Sequence, residues 1–306
     1  MSRPDGSVEL GGGAVAAVSA RPLSQSAEIF IMFPAPNCDE RMYEAQKKFL
    51  EEQGHRVCFE GVVEGVGLED FVSRIMKKYP ERVNLVGASV GAHIALECWA
   101  IAPERVKSMT LISMKTEPPS AEKQDKRRRI VADLTDPEVK NMRLVEIADK
   151  VSQTNFSEYA EHPEGLKTLY MDMAKKMGPG AFATQAGYMV QVGEEGVFAR
   201  ANRSVLSDAR ARKAVDGSVH EVDTKVIIVV GRDNRRFAVS GDDRVDIEAV
   251  AADVARDSTS NLGLPVSYVM IDRAGHMPTF EKPDAVNKAL GGMLENLKSR
   301  DVGGRN

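Results

Sequence analysis

A chain of 306 residues, 42% hydrophobic and 28% charged, has the apolar material for one large core or for a core carrying an inserted subdomain. A net charge of −4 gives no general attraction to nucleic acid or to an anionic membrane. Three cysteines, Cys38, Cys58 and Cys98, with no C-x-x-C pair, argue against a disulfide framework or a zinc knuckle and suit a reducing compartment.

Residues 1–24 lack a continuous apolar segment behind a basic start, so no signal peptide is read there. No apolar run approaches the roughly 20 residues of a bilayer span. A cytoplasmic protein without a membrane span is expected. The run EIFIMF, residues 28–33, is bounded by Pro34 and Pro36 and predicts a buried strand. Asn37-Cys38-Asp39-Glu40 resembles a capping box, and the helix it opens stops at Gly54. HRVCFEGV, residues 55–62, reads as the next strand. Leu68, Phe71, Val72, Ile75 and Met76 then recur at amphipathic helical spacing. VNLVG (83–87), a helix through Ala100, and the strand KSMTLIS (107–113) follow.

Strands and helices thus alternate with short connections, which predicts βαβ units and a mostly parallel sheet covered by helices on both faces. From about residue 116 the chain turns polar and helix-prone, with no convincing strand until about 223 and a break at Gly178-Pro179-Gly180. TKVIIVVG (224–231) and PVSYVMID (265–272) restore the strand pattern, and Pro283 suits the first turn of a last amphipathic helix. The expected organisation is a core in two parts, 1–115 and 223–306, around a helical insertion at 116–222.

The segment Gly87-Ala88-Ser89-Val90-Gly91 fits G-x-S-x-G, in which a strand turns sharply into a helix with a serine at the apex. The flanking residues must be small for neighbouring backbone to pass. A serine hydroxyl needs a base, usually histidine held in one tautomer by a third group. Among five histidines, His55 after a glycine turn reads as a surface residue, and His162 and His220 lie in polar stretches. His93, four residues past Ser89, reads as packed or capping. His276, in the loop RAGHMPTFEKP after a strand, is placed to reach the sheet edge near Ser89.

The stretches NLVGASVGAHIALECWAIAPERVKSMTLIS, GRDN and AGHMPTFEKPDAVNKAL together resemble the α/β-hydrolase superfamily, specifically its lid-bearing esterase and lipase-like members. The likeness spans about 28–115 and 223–298. It implies the α/β-hydrolase fold, a lid at 116–222, and the chain order nucleophile, acid, histidine, with Ser89 first and His276 last. The family's acid usually closes a G-x-x-D turn. In Gly231-Arg232-Asp233-Asn234, asparagine holds that place and Asp233 stands one residue earlier. An asparagine orients an imidazole without stabilising its cation by charge, so Asp233 is the expected acid, with Asn234 or Glu117 as the alternatives. Relatives commonly carry His-Gly after the first long strand. Here Phe33-Pro34-Ala35-Pro36 leaves Ala35 as the one N–H donor among residues 34–36, to be paired with Val90 as the oxyanion site.

These residues predict a serine hydrolase that cleaves an ester or similar acyl bond of a small, largely apolar molecule through an acyl-enzyme. The alternatives are a catalytically impaired ligand-binding protein on the same fold, or a carbon–carbon bond hydrolase, lyase or acyl transferase using the same pair, since GRDN resembles the GRDD of some carbon–carbon bond hydrolases. Ser89 at the elbow, where a carboxylate is required, argues against haloalkane or epoxide opening. No metal-ligand spacing, phosphate-cradling loop or dinucleotide fingerprint is present, so no cofactor or metal is expected. The basic run 126–129 reads as a solvated helix face. Met142, Met171, Met173, Met177 and Met189 line an adaptable pocket or pack the insertion. No oligomeric state is implied.

Overall fold

The structure is a computed structural model that describes residues 27–199, 211–213, 219–221, 223–234, 236 and 246–303. The segment read as lacking a signal peptide lies outside the described residues, as does the side chain of His220. In chain order the strands are β1 (Ile29–Phe33), β2 (Arg56–Phe59), β3 (Val83–Ala88), β4 (Val106–Ile112), β5 (Ala211–Lys213), β6 (Val219–Glu221), β7 (Lys225–Gly231) and β8 (Val266–Ile271). Six of them form one all-parallel sheet in the order β2-β1-β3-β4-β7-β8. β5 and β6 form a separate antiparallel pair inside the stretch expected to hold no strand.

The period of two along β1 divides the protein into two cores. Ile29, Ile31 and Phe33 face one way, onto helices α2 (Leu68–Lys78), α3 (Val90–Ile101) and α7 (Ile247–Leu262). Phe30 and Met32 face the other way, onto α1 (Glu44–Glu52) and the C-terminal helix α8 (Pro283–Gly303). Because β1 and β3 are buried from end to end, they read as unbroken apolar runs instead of alternating ones. α3 is buried from Val90 to Ala100, so it too lacks a polar face. Its Trp99 indole donates to Thr224 Oγ1 at 3.0 Å.

The chain steps from β1 outward to β2, then returns to the other side of β1 as β3. The strand order therefore reverses between β1 and β3, and their C-terminal ends flank the crevice where open α/β sheets hold ligands. Between β4 and β7 three helices are inserted: α4 (Ala121–Thr135), α5 (Lys140–Asn155) and α6 (Pro163–Glu195). α6 is broken at Gly178 (φ 82°), just before Pro179, as the Gly-Pro-Gly sequence predicts. The insertion packs into both cores: Tyr188 and Val192 into one, Tyr170, Met173 and Ala174 into the other. Of the methionines in question, Met173 is fully buried, while Met142 is 57% exposed and lines no interior. Among the described residues, no helix is long and apolar enough to cross a membrane.

Candidate active site at the sheet edge

Ser89 ends β3 and caps α3 with φ 54° and ψ −114°. A non-glycine residue at positive φ costs about 1–3 kcal/mol and persists only where its surroundings impose it. Two glycines impose it here. A β-carbon on Gly87 would run into the carbonyl of Gly91, and one on Gly91 into the carbonyl of Phe33. The strand, the turn and the loop after β1 are thus stacked at backbone contact. Ser89 N–H donates to Ile112 O at 2.8 Å, tying the turn to the end of β4, and Tyr43 Oη donates to Phe33 O at 2.9 Å, fixing the third layer. The first N–H groups of α3, Val90 foremost, lack intrahelical acceptors and carry the positive end of the helix dipole beside the serine hydroxyl.

His276 reaches the same strand end. Ser113, directly after β4, donates its hydroxyl to His276 O at 2.9 Å, and His276 N–H donates to Asn155 O at 2.8 Å. The side chain held against the imidazole is that of Asn234, with Oδ1 3.2 Å from Nδ1. Asp233, the residue expected here, makes no side-chain hydrogen bond to the ring among the described residues. Asp233 N–H donates to Ala274 O at 2.9 Å and Asn234 N–H to Gly231 O at 3.2 Å, a tight turn that sends residue 234 inward. Gly231 permits this because a β-carbon there would collide with the Ala274 and Gly275 backbone. Glu117, the other candidate, is exposed.

The uncharged third residue has a definite polarity. Asn234 Nδ2 donates to Ser113 Oγ at 3.4 Å, which leaves Oδ1 facing the ring. An oxygen acceptor at Nδ1 selects the tautomer protonated there, so Nε2 carries the lone pair a general base needs. Nε2 is buried and makes no hydrogen bond among the described residues, so the Ser89–His276 bond is not formed in this conformation. Burial, then the nearby Arg236 and Lys115 cations, hold the His276 pKa well below the usual histidine value. The imidazole is neutral at neutral pH.

The expected oxyanion donors are the N–H groups of Ala35 and Val90. Ala35 N–H is turned onto Met42 Sδ at 3.3 Å, a weak acceptor seven residues along the chain that periodicity does not reveal. Asn37 in the same loop is fully buried at φ 64°; its N–H donates to Gln185 Oε1 at 3.2 Å and its Nδ2 to Tyr170 Oη at 3.1 Å. Asn37 therefore does not open a helix. Asp39 does, accepting from Arg41 N–H at 3.1 Å at the start of a short 3-10 turn.

His162 is exposed as expected, whereas His55 is not a surface residue: it is buried, accepts Glu28 N–H on Nδ1 at 3.1 Å, and sets its ring edge-on to Phe30. His93 is buried as expected, and burial with the Arg127 charge lowers its pKa to about 4. Cys38 is a buried thiol whose pKa is raised by burial, so it offers no thiolate. The basic run on α4 is split. Lys126, Arg128 and Arg129 are exposed, but Arg127 turns inward beside Gln124, a pattern that i, i+3 spacing on the helix reveals.

The insertion is fastened to the histidine loop by Glu281. This buried carboxylate accepts Gly275 N–H at 2.8 Å and Ser157 N–H at 2.7 Å, one from each side.

A model of the Alpha/beta hydrolase family matches residues 52–289. No curated protein matches the sequence. Among solved structures, a thermophilic esterase from Thermogutta terrifontis is 18% identical with a TM-score of 0.65, over 89% of this chain and 90% of that one. The enol-lactonase from Burkholderia xenovorans LB400 is 15% identical with a TM-score of 0.63, over 88% of this chain and 92% of that one. A bromoperoxidase from Bacillus anthracis is 13% identical with a TM-score of 0.61, over 88% and 92%. At these identities the likeness establishes the fold.

Proposed function

Since the chain belongs to the α/β-hydrolase family, we propose that it is a serine hydrolase cleaving an ester or a similar acyl bond of a small molecule. What supports this reading is a strained Ser89 at the turn after β3, tied to the end of β4, together with the imidazole of His276. The Ser113 hydroxyl just after β4 holds the His276 backbone and Asn234 holds Nδ1, leaving Nε2 without a hydrogen bond among the described residues. The mechanism requires Ser89 Oγ and His276 Nε2 to come within hydrogen-bond reach. Ser89 Oγ then attacks the acyl carbonyl while His276 Nε2 takes its proton. The same nitrogen returns the proton to the leaving group and afterwards draws one from the water that releases the acyl group. Val90 N–H holds the developing oxyanion, with Ala35 N–H available once it leaves the Met42 sulfur. Asp233 has no part in this scheme. Asn234 orients the ring and fixes its tautomer without adding charge.

The insertion, read as residues 116–222, acts as the lid, with Asn155, Tyr170 and Gln185 presented to the loops that carry the chemistry. The esterase and lactonase among the structural neighbours fit acyl chemistry on this fold. The test is turnover of short-chain para-nitrophenyl esters by the wild type, lost in Ser89→Ala and in His276→Gln. The neutral Asn234 and the occupied Ala35 N–H favour a second reading, in which the protein binds a ligand with little or no turnover. Ligand binding that is equal in wild type and Ser89→Ala, with no ester hydrolysed by either, supports that one.

A further inference from the structure

A loop at a sheet edge has no ladder to fix it, so its backbone groups need partners from elsewhere. The segment 273–276 finds them one by one. Ser157 Oγ donates to Arg273 O at 3.3 Å, Asp233 N–H to Ala274 O at 2.9 Å, and Ser113 Oγ to His276 O at 2.9 Å. His276 N–H donates to Asn155 O and Gly275 N–H to Glu281 Oε1, each at 2.8 Å. Two of these partners, Asn155 and Ser157, belong to one short stretch of the insertion at the end of α5. That stretch lies on the loop at backbone contact: a β-carbon on Gly275 would stand 2.7 Å from Ser157 N and 2.9 Å from Asn155 O.

Glu281 closes the arrangement. It ends the short helix Pro278–Glu281 and is only 5% exposed. A carboxylate is costly to bury unless its oxygens are engaged. Here each oxygen takes one backbone N–H from a different segment, Oε1 from Gly275 and Oε2 from Ser157 at 2.7 Å. The bonds form a ring. It runs from Glu281 to Ser157, along the chain to Asn155 O, across to His276 N–H, and back through Gly275 N–H to the same carboxylate. An apolar side chain would fill the space at lower cost, but it could not close this ring, of which the base is a member.

We propose that Glu281 is a positioning residue for the reaction: its two oxygens lock the end of α5 onto the Gly275–His276 peptide and so set where the imidazole stands. The insertion is then fixed to the base at this joint. Glutamine cannot replace the carboxylate, because an amide has one oxygen acceptor and must turn its NH2 group onto the second N–H. The effect on rate rests on the hydrolase reading above; the effect on the imidazole does not.

The test is Glu281→Gln, with Ser157→Ala as a second variant that removes the hydroxyl tie to Arg273 O and keeps the Ser157 N–H. With a para-nitrophenyl ester, kcat per folded molecule should fall about 10-fold in Glu281→Gln with KM unchanged, the scale of one charge-assisted hydrogen bond. Ser157→Ala should lower kcat about 3-fold, and the double variant should lose less than the product of the two, since both act on one joint. The ring nitrogen-15 shifts of His276 should move in both variants as the ring leaves its place against Asn234. Unchanged kcat and unchanged His276 shifts in Glu281→Gln would make the carboxylate merely structural and overturn the proposal, leaving the hydrolase reading standing. If the wild type cleaves no ester, the shifts decide alone: movement supports positioning and no movement overturns it. If Glu281→Gln does not fold, Ser157→Ala is read by the same criteria.

Discussion

The serine side and the histidine side of the site are built by different physics. Ser89 is placed by backbone sterics: Gly87 admits the Gly91 carbonyl and Gly91 the Phe33 carbonyl, with Tyr43 Oη holding Phe33 O in place. His276 is placed by a web of hydrogen bonds from four distant segments, Ser113, Asn155, Asn234 and, through Gly275, Glu281. The first arrangement is rigid and local. The second is adjustable, and it is where this chain departs from its family's usual chemistry.

The sharpest way to break the comparison is at the glycines. Gly91→Ala should destabilise the fold by about 3 kcal/mol, the upper range for forcing atoms into a packed site, and abolish ester turnover; urea denaturation alongside the para-nitrophenyl assay reads both. If this substitution is silent, the steric account of the serine side fails. A change of comparable size belongs to the buried histidines. His93 sits at about 4 in the folded protein and near 6.5 unfolded, so the unfolded chain binds the extra proton between these values. Its contribution is complete above pH 6.5 and is lost as pH falls towards 4, about 3 kcal/mol in all. Urea midpoints across that range should fall steeply, and less steeply in His93→Gln. His276 titrates in the same sense. The acid limb of kcat/KM should therefore lie below pH 6.5, because the base stays neutral until its lowered pKa is reached.

Smaller substitutions sharpen the histidine side. Asn234→Asp should raise turnover of a neutral ester at least about 10-fold, a fraction of the ~10⁴ that the reverse exchange costs in a serine protease. It should also move the acid limb upward as a negative charge favours the imidazolium. The mildest expected effect is that of Ser113→Ala. Loss of its hydroxyl frees the Asn234 amide to turn, and kcat should drop about 5-fold, the value of one neutral hydrogen bond, with KM unchanged. Nitrogen-15 shifts of His276 would show the tautomer mixing that a purely structural role would not produce.

The same contrast explains what the sequence disclosed. The parallel sheet, the serine turn, the break at Gly178 and the placing of His276 after β8 are encoded in short stretches, and each was legible. At the acid turn, register and chemistry disagreed. Position 234 stood in the family's place, while Asp233 offered the charge, and the expectation followed the charge. The structure follows register, because the turn is set by Gly231 against the Ala274–Gly275 backbone and not by what residue 234 carries. His55 was misread because its burial depends on Glu28 and Phe30, an edge contact across strands. The Ala35 N–H contact was hidden for a similar reason, since Met42 returns to it through the following 3-10 turn. Arg127 was hidden inside a run of like charges, although its spacing from Gln124, Val131 and Leu134 marks the inner face of α4.

The central claim is that Ser89 is a nucleophile activated by His276. Reaction with a fluorophosphonate probe followed by mass spectrometry tests it most directly. The expected result is a single adduct on Ser89 in the wild type, none in Ser89→Ala, and labelling slowed strongly in His276→Gln. An unlabelled wild type, or equal labelling of the alanine variant, would contradict it.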